Sequence, residues 1–299
     1  MVLVLGVFSI NTSANDLSAN STDPALKSNT AQFSATDEKK VDQNENSAEL
    51  KKKCIKSLGQ FRSYFPTSKL EQICSQSQVF DSCKSVDGEP LFHIDTKGSS
   101  KTTKKILVLS LIHGDESDAG ALGRFWLERL QMITPRNDWR VIPVLNPDGV
   151  QKKTRTNARG VDLNRNFPTS DWSKLAQSYW KKEGNQSARK FPGDTAGSEP
   201  EVNCALKHIN DFHPDFVVSI HTPLNVLDFD GPKKASIKNF NYLPWRRLGN
   251  YPGSLGRYLW VENNIPVLTT ELKNNLPKNS EPFTMLQDVI GYLTQKDLE

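Results

Sequence analysis

The residues best suited to chemistry in this chain are histidines and glutamates that follow runs of branched apolar residues. His113 and Glu116 come after the apolar stretch 106–112, His221 follows "VVSI", and Glu271 follows "PVLTT". Two imidazoles and one carboxylate are the ligand set of a catalytic zinc ion, which keeps a fourth position for water. His113, Glu116 and His221 are therefore candidate ligands of one zinc ion per chain. Calcium and magnesium prefer all-oxygen ligands and suit this set less well.

These side chains can meet only if strand ends bring them together. Continuous apolar runs are typical of strands buried on both faces of a parallel sheet, and they predict strands over 89–95, 106–112, 139–146, 215–222 and 265–272. Apolar residues at helical spacing predict helices over 57–65, 68–76, 119–133, 200–212 and 282–295. This alternation predicts an α/β fold with a largely parallel central sheet flanked by helices.

In such sheets, ligands bind beyond the carboxyl ends of the strands. Four predicted strand ends carry a polar side chain of the ligand or acid–base type, namely His113, Asn146, His221 and Glu271. We therefore expect a functional site at this edge of the sheet.

The composition of the chain argues against two classes of partner. The 299 residues are 24% charged and 36% hydrophobic, which is ordinary for a soluble globular protein. The net charge of +4 is small and dispersed, so nucleic acid is not an expected partner. No apolar run is long enough for a mature membrane-spanning helix, so stable membrane insertion is not expected. The oligomeric state stays open.

Residues 1–50 predict a targeting segment followed by a flexible lead. "MVLVLGVFSI" resembles a signal-peptide core, with small residues for cleavage near Ala14 or Ala19, although a disordered apolar tail is the alternative. Residues 11–50 are rich in Ser, Asn, Thr, Asp, Lys and Ala, too polar to form a core. We expect a catalytic domain over 51–299, with 51–84 as a candidate appended segment. A periplasmic or secreted location is favoured, with the cytoplasm as the alternative.

The four cysteines, Cys54, Cys74, Cys83 and Cys204, have no metal-type C-x-x-C spacing. Two disulfides in an oxidising compartment would suit them, and three pairings stay open. Four reduced, buried cysteines are the alternative.

The polar segment 152–168, "KKTRTNARGVDLNRNFP", has arginines among asparagines and aspartates. A planar guanidinium beside an amide can clamp a carboxylate through parallel hydrogen bonds. The alternative interpretation is a solvent-exposed loop, which explains the tight alternation of "VDLNRNF" poorly.

A rival metal cluster, "HINDFHPD", covers residues 208–215. His208 and Asp211 fall on the predicted helix 200–212, and nothing there supplies a base at a strand end. We interpret the cluster as a polar helix terminus, and we expect His93, alone in a strand, to be structural.

The ordered motifs "HGDE", "TRTNARGVDLNRNFP", "SIHT" and "TTEL" resemble the zinc carboxypeptidases of the carboxypeptidase A clan, from about Ser85 to the C-terminus. The compact size, "HTPLNVLDFDGP" and "NYPGSLG" resemble the bacterial murein peptide amidases of that clan. Those enzymes cut the bond between γ-D-glutamate and meso-diaminopimelate. The resemblance implies a carboxypeptidase A-like fold and a zinc metallopeptidase whose partner is a small peptide from peptidoglycan.

The resemblance also implies a role for each matching residue at the reacting bond. His113, Glu116 and His221 would bind zinc, and Glu271 would be the general base that activates the zinc-bound water. Asp162 would accept a hydrogen bond from His113 and fix its tautomer.

The remaining implied roles concern the substrate. Asn164 and Arg165 would hold its free carboxylate, and Arg155 would polarise the scissile carbonyl, with Lys152 and Arg159 as alternatives. Tyr251 matches a loop tyrosine of the clan only loosely, so it stays outside the predicted site.

Three other functions are compatible with these motifs. A conventional metallocarboxypeptidase would trim protein or peptide C-termini. An N-acyl amino acid deacylase of the aspartoacylase type shares the H-x-x-E motif and the distal histidine. A non-catalytic cell-wall binding protein is a third alternative, against which the complete set of ligands and Glu271 argues.

Overall fold

The computed structural model describes residues 43–101, 103–232 and 243–296. The signal-like segment and most of the predicted lead lie outside these residues. Helix α1 (Gln43–Gly59) begins inside the stretch predicted as lead. The described part of the chain therefore begins as a helix before the predicted domain boundary at residue 51.

A six-stranded mixed sheet lies at the centre of the fold, in the order β1–β3–β2–β4–β6–β5. The strands are β1 (Ile94–Thr96), β2 (Lys105–Ser110), β3 (Asp138–Ile142), β4 (Phe216–His221), β5 (Val226–Asp230) and β6 (Val267–Glu271). The four inner strands are parallel, and the edge strands β1 and β5 pair antiparallel to their neighbours. The predicted mixed, largely parallel sheet is confirmed. Edge strand β5 was not predicted.

Helices pack on both faces of this sheet. After α1 they are α2 (Thr67–Cys74), α3 (Ser117–Leu130), α4 (Pro147–Lys152), α5 (Trp172–Lys182), α6 (Pro200–Phe212) and α7 (Glu281–Lys296). Shorter helical turns cover Leu163–Arg165, Ala188–Lys190 and Arg257–Glu262. The helix predicted over 57–65 is wrong, because α1 ends at Gly59 and a turn follows. Within the described residues, no helix has the length and apolar character to cross a membrane.

Strand β2 shows why the sheet is covered on both faces. Its side chains alternate between the faces, as in any strand. Ile106 and Val108 pack into the core under α1, α3 and α7, and Leu107 and Leu109 pack into the core under α6. Full burial stabilises each such side chain by roughly 1.5–3 kcal/mol, so both helical layers contribute to the position of the strand.

Two disulfides hold the N-terminal region of the fold. Cys54 and Cys74 join α1 to α2, and Cys83 and Cys204 join the segment before β1 to α6. The described residues include no free cysteine. The structure therefore contains one of the three pairings that the sequence leaves open.

Candidate active site

The loop after β2 brings His113 and Glu116 to the carboxyl edge of the sheet. Leu111 has a left-handed φ of 53°, which turns the chain away from the strand direction. Gly114 then passes so close to α4 that a Cβ atom would overlap the backbone of Gly149. The glycine of "HGDE" is therefore required for packing, and the loop it permits leads directly into α3.

His221 and Glu271 reach the same edge from the neighbouring strands β4 and β6. They are directly opposite each other in the parallel register. Asn146 follows β3 but does not join them, which corrects the expectation that all four strand ends face the site. Its side chain accepts a hydrogen bond from Gly149 N at the start of α4 and lies 3.3 Å from the Arg155 carbonyl oxygen. Asn146 is buried and positions the backbone.

Three ligand-type side chains converge at this corner. His113 Nδ1 lies 2.7 Å from Glu116 Oε1, His221 Nδ1 lies 3.0 Å from Glu116 Oε2, and the two Nδ1 atoms are 3.1 Å apart. In a tetrahedral site with bonds of about 2.0–2.1 Å, ligand atoms are about 3.3 Å apart, close to these separations. All three side chains are buried. Two imidazole nitrogens and a carboxylate in this arrangement fit a catalytic zinc ion.

The other nitrogen of each imidazole has a partner on the protein. Asp162 Oδ1 lies 3.2 Å from His113 Nε2, and Ser219 Oγ lies 2.9 Å from His221 Nε2. Such partners fix the ring orientation and tautomer of a ligating histidine. Both rings are therefore held with Nδ1 toward the shared corner, and Asp162 occupies the place predicted for it.

Charge complementarity keeps the two buried carboxylates ionised. Burial raises the pKa of Glu116, but the adjacent His113 and His221 outweigh it and hold this pKa well below its usual range. Burial likewise raises the pKa of Asp162, and Arg155 and His113 more than compensate. The corner thus carries two ionised carboxylates beside two imidazoles and the Arg155 guanidinium.

Arg155 is the predicted basic residue that reaches this corner. Its Nε donates to Asp162 Oδ2 at 3.0 Å, and its Nη1 lies 3.2 Å from His113 Nδ1. The two alternatives face elsewhere: Lys152 pairs with Asp87 at 2.8 Å, and Arg159 lies 3.7 Å from Glu199. Arg155 is therefore the guanidinium beside the candidate metal ligands.

A cavity of about 240 Å³ opens from the same corner. Arg155, Asn164, Arg165 and Glu271 all line it, so the structure brings the remaining predicted site residues together. Glu271 is partly exposed, and its Oε2 lies 3.4 Å from Leu224 N. Within the described residues it makes no ion pair, which leaves its carboxylate available for proton transfer.

Arg165 is a partly buried cation that forms no ion pair with the described residues. Its Nη1 donates to the Asn164 carbonyl oxygen at 2.7 Å, whereas its buried Nε has no hydrogen-bond partner there. Burial lowers its pKa. The guanidinium lies 4.5 Å from the centre of the Tyr251 ring. An unpaired guanidinium lining a cavity suits a carboxylate ligand.

Ser219, Tyr251 and two aspartates, Asp228 and Asp230, also line this cavity but were not predicted as site residues. Ser219 lies two positions before His221 in β4, so the strand period of two could have identified it. Asp228 and Asp230 lie on the unpredicted strand β5, inside the segment "HTPLNVLDFDGP" that carries part of the family resemblance, and that resemblance is the signal that could have identified them.

The rival cluster at 208–215 does not assemble into a site. Asp211 pairs with Arg140 and Asp215 with Lys104. His213 is the exposed, left-handed residue after α6. The helix-terminus interpretation fits these three residues but is wrong for His208, which is fully buried.

His208 packs against His93 and near the Cys83–Cys204 disulfide. The two imidazole rings are 4.6 Å apart, and Nδ1 of each ring is buried without a hydrogen-bond partner in the described residues. The sulfur atoms near His208 are bonded to each other, so they offer no thiolate for a metal.

This buried pair predicts a loss of stability in acid. Burial, with Arg140 nearby, lowers the pKa of His93 to about 4, and burial with His93 lowers the pKa of His208 to about 3. Unfolded histidine titrates near pH 6.5, so below that pH the unfolded state binds more protons and stability falls. We expect the urea midpoint of His208→Gln to fall less between pH 7 and pH 4.5 than that of the wild type. His213→Asn, at the exposed histidine, is the control. Equal pH dependence in all three proteins would contradict this account.

Comparisons with known proteins agree with this geometry. The model of the zinc carboxypeptidase family matches residues 67–229, more than half of the chain. Murein peptide amidase A of Vibrio campbellii is 35% identical over 198 residues, which cover 63% of this chain and 77% of that protein. Murein peptide amidase A of Escherichia coli is 34% identical over 147 residues, 48% of this chain and 59% of that protein.

Solved structures show the same fold. The murein-tripeptide amidase of Escherichia coli superposes with a TM-score of 0.54 at 24% identity, over 80% of this chain and 95% of the other. Carboxypeptidase A of Helicoverpa armigera gives a TM-score of 0.55 at 18% identity, over 86% and 79% of the two chains. The predicted carboxypeptidase A-like fold is confirmed. The chain therefore belongs to the zinc carboxypeptidase family and is a hydrolase.

Proposed function

We propose that this protein is a zinc-dependent peptidase that hydrolyses the γ-D-glutamyl–diaminopimelate bond of short peptidoglycan peptides. One observation carries the proposal: three buried ligand-type side chains lie beside a cavity that is also lined by a partly exposed glutamate and by an arginine whose buried Nε has no hydrogen-bond partner in the described residues. The similarity to two murein peptide amidases supports the choice of substrate.

His113, Glu116 and His221 would hold the metal. When bound, zinc supplies a Lewis acid that polarises a carbonyl and makes a coordinated water more acidic. Asp162 and Ser219 hold the two imidazoles in the orientation that this requires, since each is at hydrogen-bond distance from the far ring nitrogen. The ionised Glu116 balances part of the charge of the ion.

Glu271 is the proposed general base and acid. Two observations support this role: Glu271 is opposite His221 in the strand register, and its side chain lines the same cavity as His113 and His221. There it can take a proton from the attacking water and deliver it to the leaving amine, and such transfer contributes typically about 100- to 10,000-fold to rate. Both roles require a carboxylate that is not held in an ion pair. Among the described residues, Glu271 has no ion-pair partner.

Arg155 is proposed to stabilise the developing oxyanion. The carboxylates of Asp162 and Glu116 keep its guanidinium charged despite burial, raising its pKa. Nη1 already lies within 3.2 Å of a candidate zinc ligand. A donor fixed at that position needs little reorganisation when charge develops on the substrate oxygen.

Asn164 and Arg165 are proposed to bind the free carboxylate of the leaving residue. Asn164 Oδ1 accepts from Leu255 N at 2.8 Å, which fixes the amide and leaves its Nδ2 group without a protein partner in the described residues. A substrate carboxylate that accepts hydrogen bonds from both side chains would position the scissile bond between the metal and Glu271. Substrates without a free carboxylate would then be poor.

Arg165→Ala is therefore expected to lower kcat/KM for free-acid peptides by about 10- to 100-fold, mainly through KM, because a charged hydrogen bond contributes roughly 1.5–3 kcal/mol. Arg165→Lys should recover part of the loss, since it keeps the charge but not the planar fork. Steady-state kinetics on one peptide as free acid and as C-terminal amide would test this, with exposed Arg159→Ala as the control. An unchanged KM for the free acid would refute the clamp.

Mass spectrometry of muropeptides incubated with the zinc-loaded protein tests the proposed reaction. Release of free diaminopimelate from the tripeptide L-alanyl-γ-D-glutamyl-diaminopimelate is the expected result. A panel of ordinary peptides would reveal a conventional carboxypeptidase, and N-acyl amino acids would reveal a deacylase. Preferential hydrolysis of either panel would replace the proposed substrate.

We further propose that residues 51–84 are an integral part of the catalytic domain. Leu58, Leu70 and Ile73 lie in the same core as α3 and α7. Buried Arg124 of α3 donates to the carbonyl oxygens of Leu58 and Phe61 at 3.1 and 2.9 Å.

The two disulfides and the peptidoglycan substrate together favour a periplasmic location.

A further inference from the structure

Arg155, the proposed oxyanion donor, and Asp162 lie on one short loop. Arg155 Nε is 3.0 Å from Asp162 Oδ2, so their side chains are joined at the metal corner. The backbone of Asp162 is fixed on its own account, because its N–H donates to the Phe191 carbonyl oxygen at 2.8 Å. The backbone of Arg155 reaches Asp162 through the turn 157–161. The position of Arg155 therefore depends on how this turn is held.

Asn157 closes the turn through its backbone and its side chain. Its N–H donates to the Val161 carbonyl oxygen, and its own carbonyl oxygen accepts from Gly160 N, both at 3.0 Å. Its side-chain Oδ1 accepts from the N–H groups of Arg159 and Val161, each at 3.1 Å. One residue thus fixes both ends of the turn, two positions after Arg155 in the chain.

The amide nitrogen of the Asn157 side chain is bound by two buried carboxylates at the start of α6. Nδ2 donates to Glu199 Oε2 at 2.7 Å and to Glu201 Oε2 at 3.1 Å. All three residues are at most 2% exposed. The side chain therefore makes four hydrogen bonds, the full capacity of an asparagine amide.

The two carboxylates are themselves held in place. Glu199 Oε1 accepts from Ser198 Oγ at 2.6 Å, and Glu201 Oε1 accepts from Val86 N at 3.1 Å. Burial raises the pKa of Glu201, and the hydrogen bond from Asn157 acts in the opposite direction. Asn157 is the buried donor that both carboxylates share. An acceptor in its place would face two further acceptors without a proton between them.

The carboxylate clamp has an anchor of its own. Asn166 follows the clamp residue Arg165 and is fully buried. Its Nδ2 donates to the carbonyl oxygens of Pro192 and Thr195 at 2.8 and 2.9 Å. Neither bond involves Asn157, so a change at Asn157 should leave the clamp in place.

We propose that Asn157 is a positioning residue that, through its hydrogen bonds to Glu199 and Glu201, holds Arg155 where the oxyanion of the reaction develops. This inference rests on the proposed function, in which Arg155 stabilises that oxyanion. Asn146 Nδ2, 3.3 Å from the Arg155 carbonyl oxygen, holds the other side of the same backbone. Asn157 does not line the cavity, so its effect on turnover passes through Arg155.

Asn157→Asp tests this role, because it keeps the shape and the Oδ1 acceptor but removes the donor between the carboxylates. A misplacement of about 1 Å can cost about 100-fold in rate, so we expect kcat on the muropeptide to fall about 10- to 100-fold with KM nearly unchanged. Adding Glu199→Gln and Glu201→Gln reverses donor and acceptor in both hydrogen bonds and should recover most of the loss. Asn203→Asp, the same substitution at an exposed position of α6, should keep the wild-type kcat.

Affinity for a phosphinate analogue of the tripeptide gives a second measurement that needs no turnover. The analogue carries a tetrahedral anionic group in place of the scissile amide, and calorimetry with the zinc-loaded protein measures its Kd. Asn157→Asp should weaken binding about 10-fold or more in the wild-type background. In an Arg155→Ala background it should weaken binding by less than about twofold, because the residue through which Asn157 acts is already gone. Asn157→Ser, which keeps one hydroxyl donor, is a milder variant that should show the same pattern with a smaller loss.

The outcomes separate this role from the proposed function. Failure of the wild type to hydrolyse muropeptides would refute the function. If the wild type hydrolyses them, equal losses of analogue affinity in the two backgrounds would overturn only the role of Asn157, since a general structural defect weakens binding whether or not Arg155 is present. A wild-type kcat in Asn157→Asp, or a triple variant no more active than Asn157→Asp, would overturn it as well.

Discussion

Glu271→Gln is expected to lower kcat by about 1,000-fold or more while the protein keeps its zinc. Glutamine has nearly the same shape but cannot accept the proton of the attacking water. His113, Glu116 and His221 are untouched, so the metal site should be complete. The measurements are kcat on the muropeptide substrate and the zinc content of the same preparation.

The control for this prediction is Glu281→Gln, at an exposed glutamate in the first turn of α7. It removes the same charge from a side chain that does not line the cavity and should leave kcat close to the wild-type value. Glu271→Asp adds a graded test, because a shorter carboxylate keeps the chemistry but retracts the proton acceptor. Near wild-type turnover by Glu271→Gln would remove Glu271 from its role.

His113→Ala is expected to abolish stoichiometric zinc binding and, with it, activity. The substitution removes one of three protein ligands and leaves Glu116 and Asp162 as buried anions without an imidazole between them. Metal analysis after dialysis should show about one zinc per wild-type chain and little in the variant. Added zinc should raise the thermal midpoint of the wild type, but not that of the variant.

Asp162→Asn tests the orientation of a metal ligand without removing any ligand. It keeps all three ligands but weakens the contact that orients His113, and loss of such a partner typically costs about 10- to 100-fold in metal affinity or activity. The control for His113→Ala is His213→Asn, which also removes a histidine but at an exposed position. Full zinc occupancy in His113→Ala after dialysis would show that the metal site is elsewhere.

Local patterns in the sequence were sufficient for much of the fold. The three predicted strands that lead to His113, His221 and Glu271 are all present. Runs of branched apolar residues identified them, because such runs are typical of strands buried on both faces. Strand β5, helices α4 and α5 and most of α1 were not predicted. β5 is short and mixes aspartates with apolar residues, and α5 has only two buried residues, Trp172 and Ala176. Neither segment has the continuous apolar run by which the inner strands were identified.

Tertiary contacts decided points that the sequence left open or predicted wrongly. Lys152 and Arg159 were alternatives to Arg155 as the basic residue at the site. In the structure, Lys152 contacts Asp87 and Arg159 contacts Glu199, so neither reaches the site. His208 had the pattern of a polar helix end, yet the packing of α6 buries it against His93. Asn146 had the pattern of a strand-end ligand, yet it is occupied with backbone hydrogen bonds. The contacts of Lys152, Arg159 and His208 join segments far apart in sequence, whereas Asn146 contacts Gly149 and Arg155 close by in the chain.

By itself the sequence determined the fold class, the residue types at the strand ends and the order of the motifs, since strand and helix periodicity are local properties of the chain. The tertiary structure alone decided which cysteines pair, which basic residue faces the metal corner and which further carboxylates line the cavity. These depend on distances between segments far apart in sequence, such as Cys83 and Cys204, separated by 121 positions. Only the packing of helices on a sheet of defined register fixes such distances.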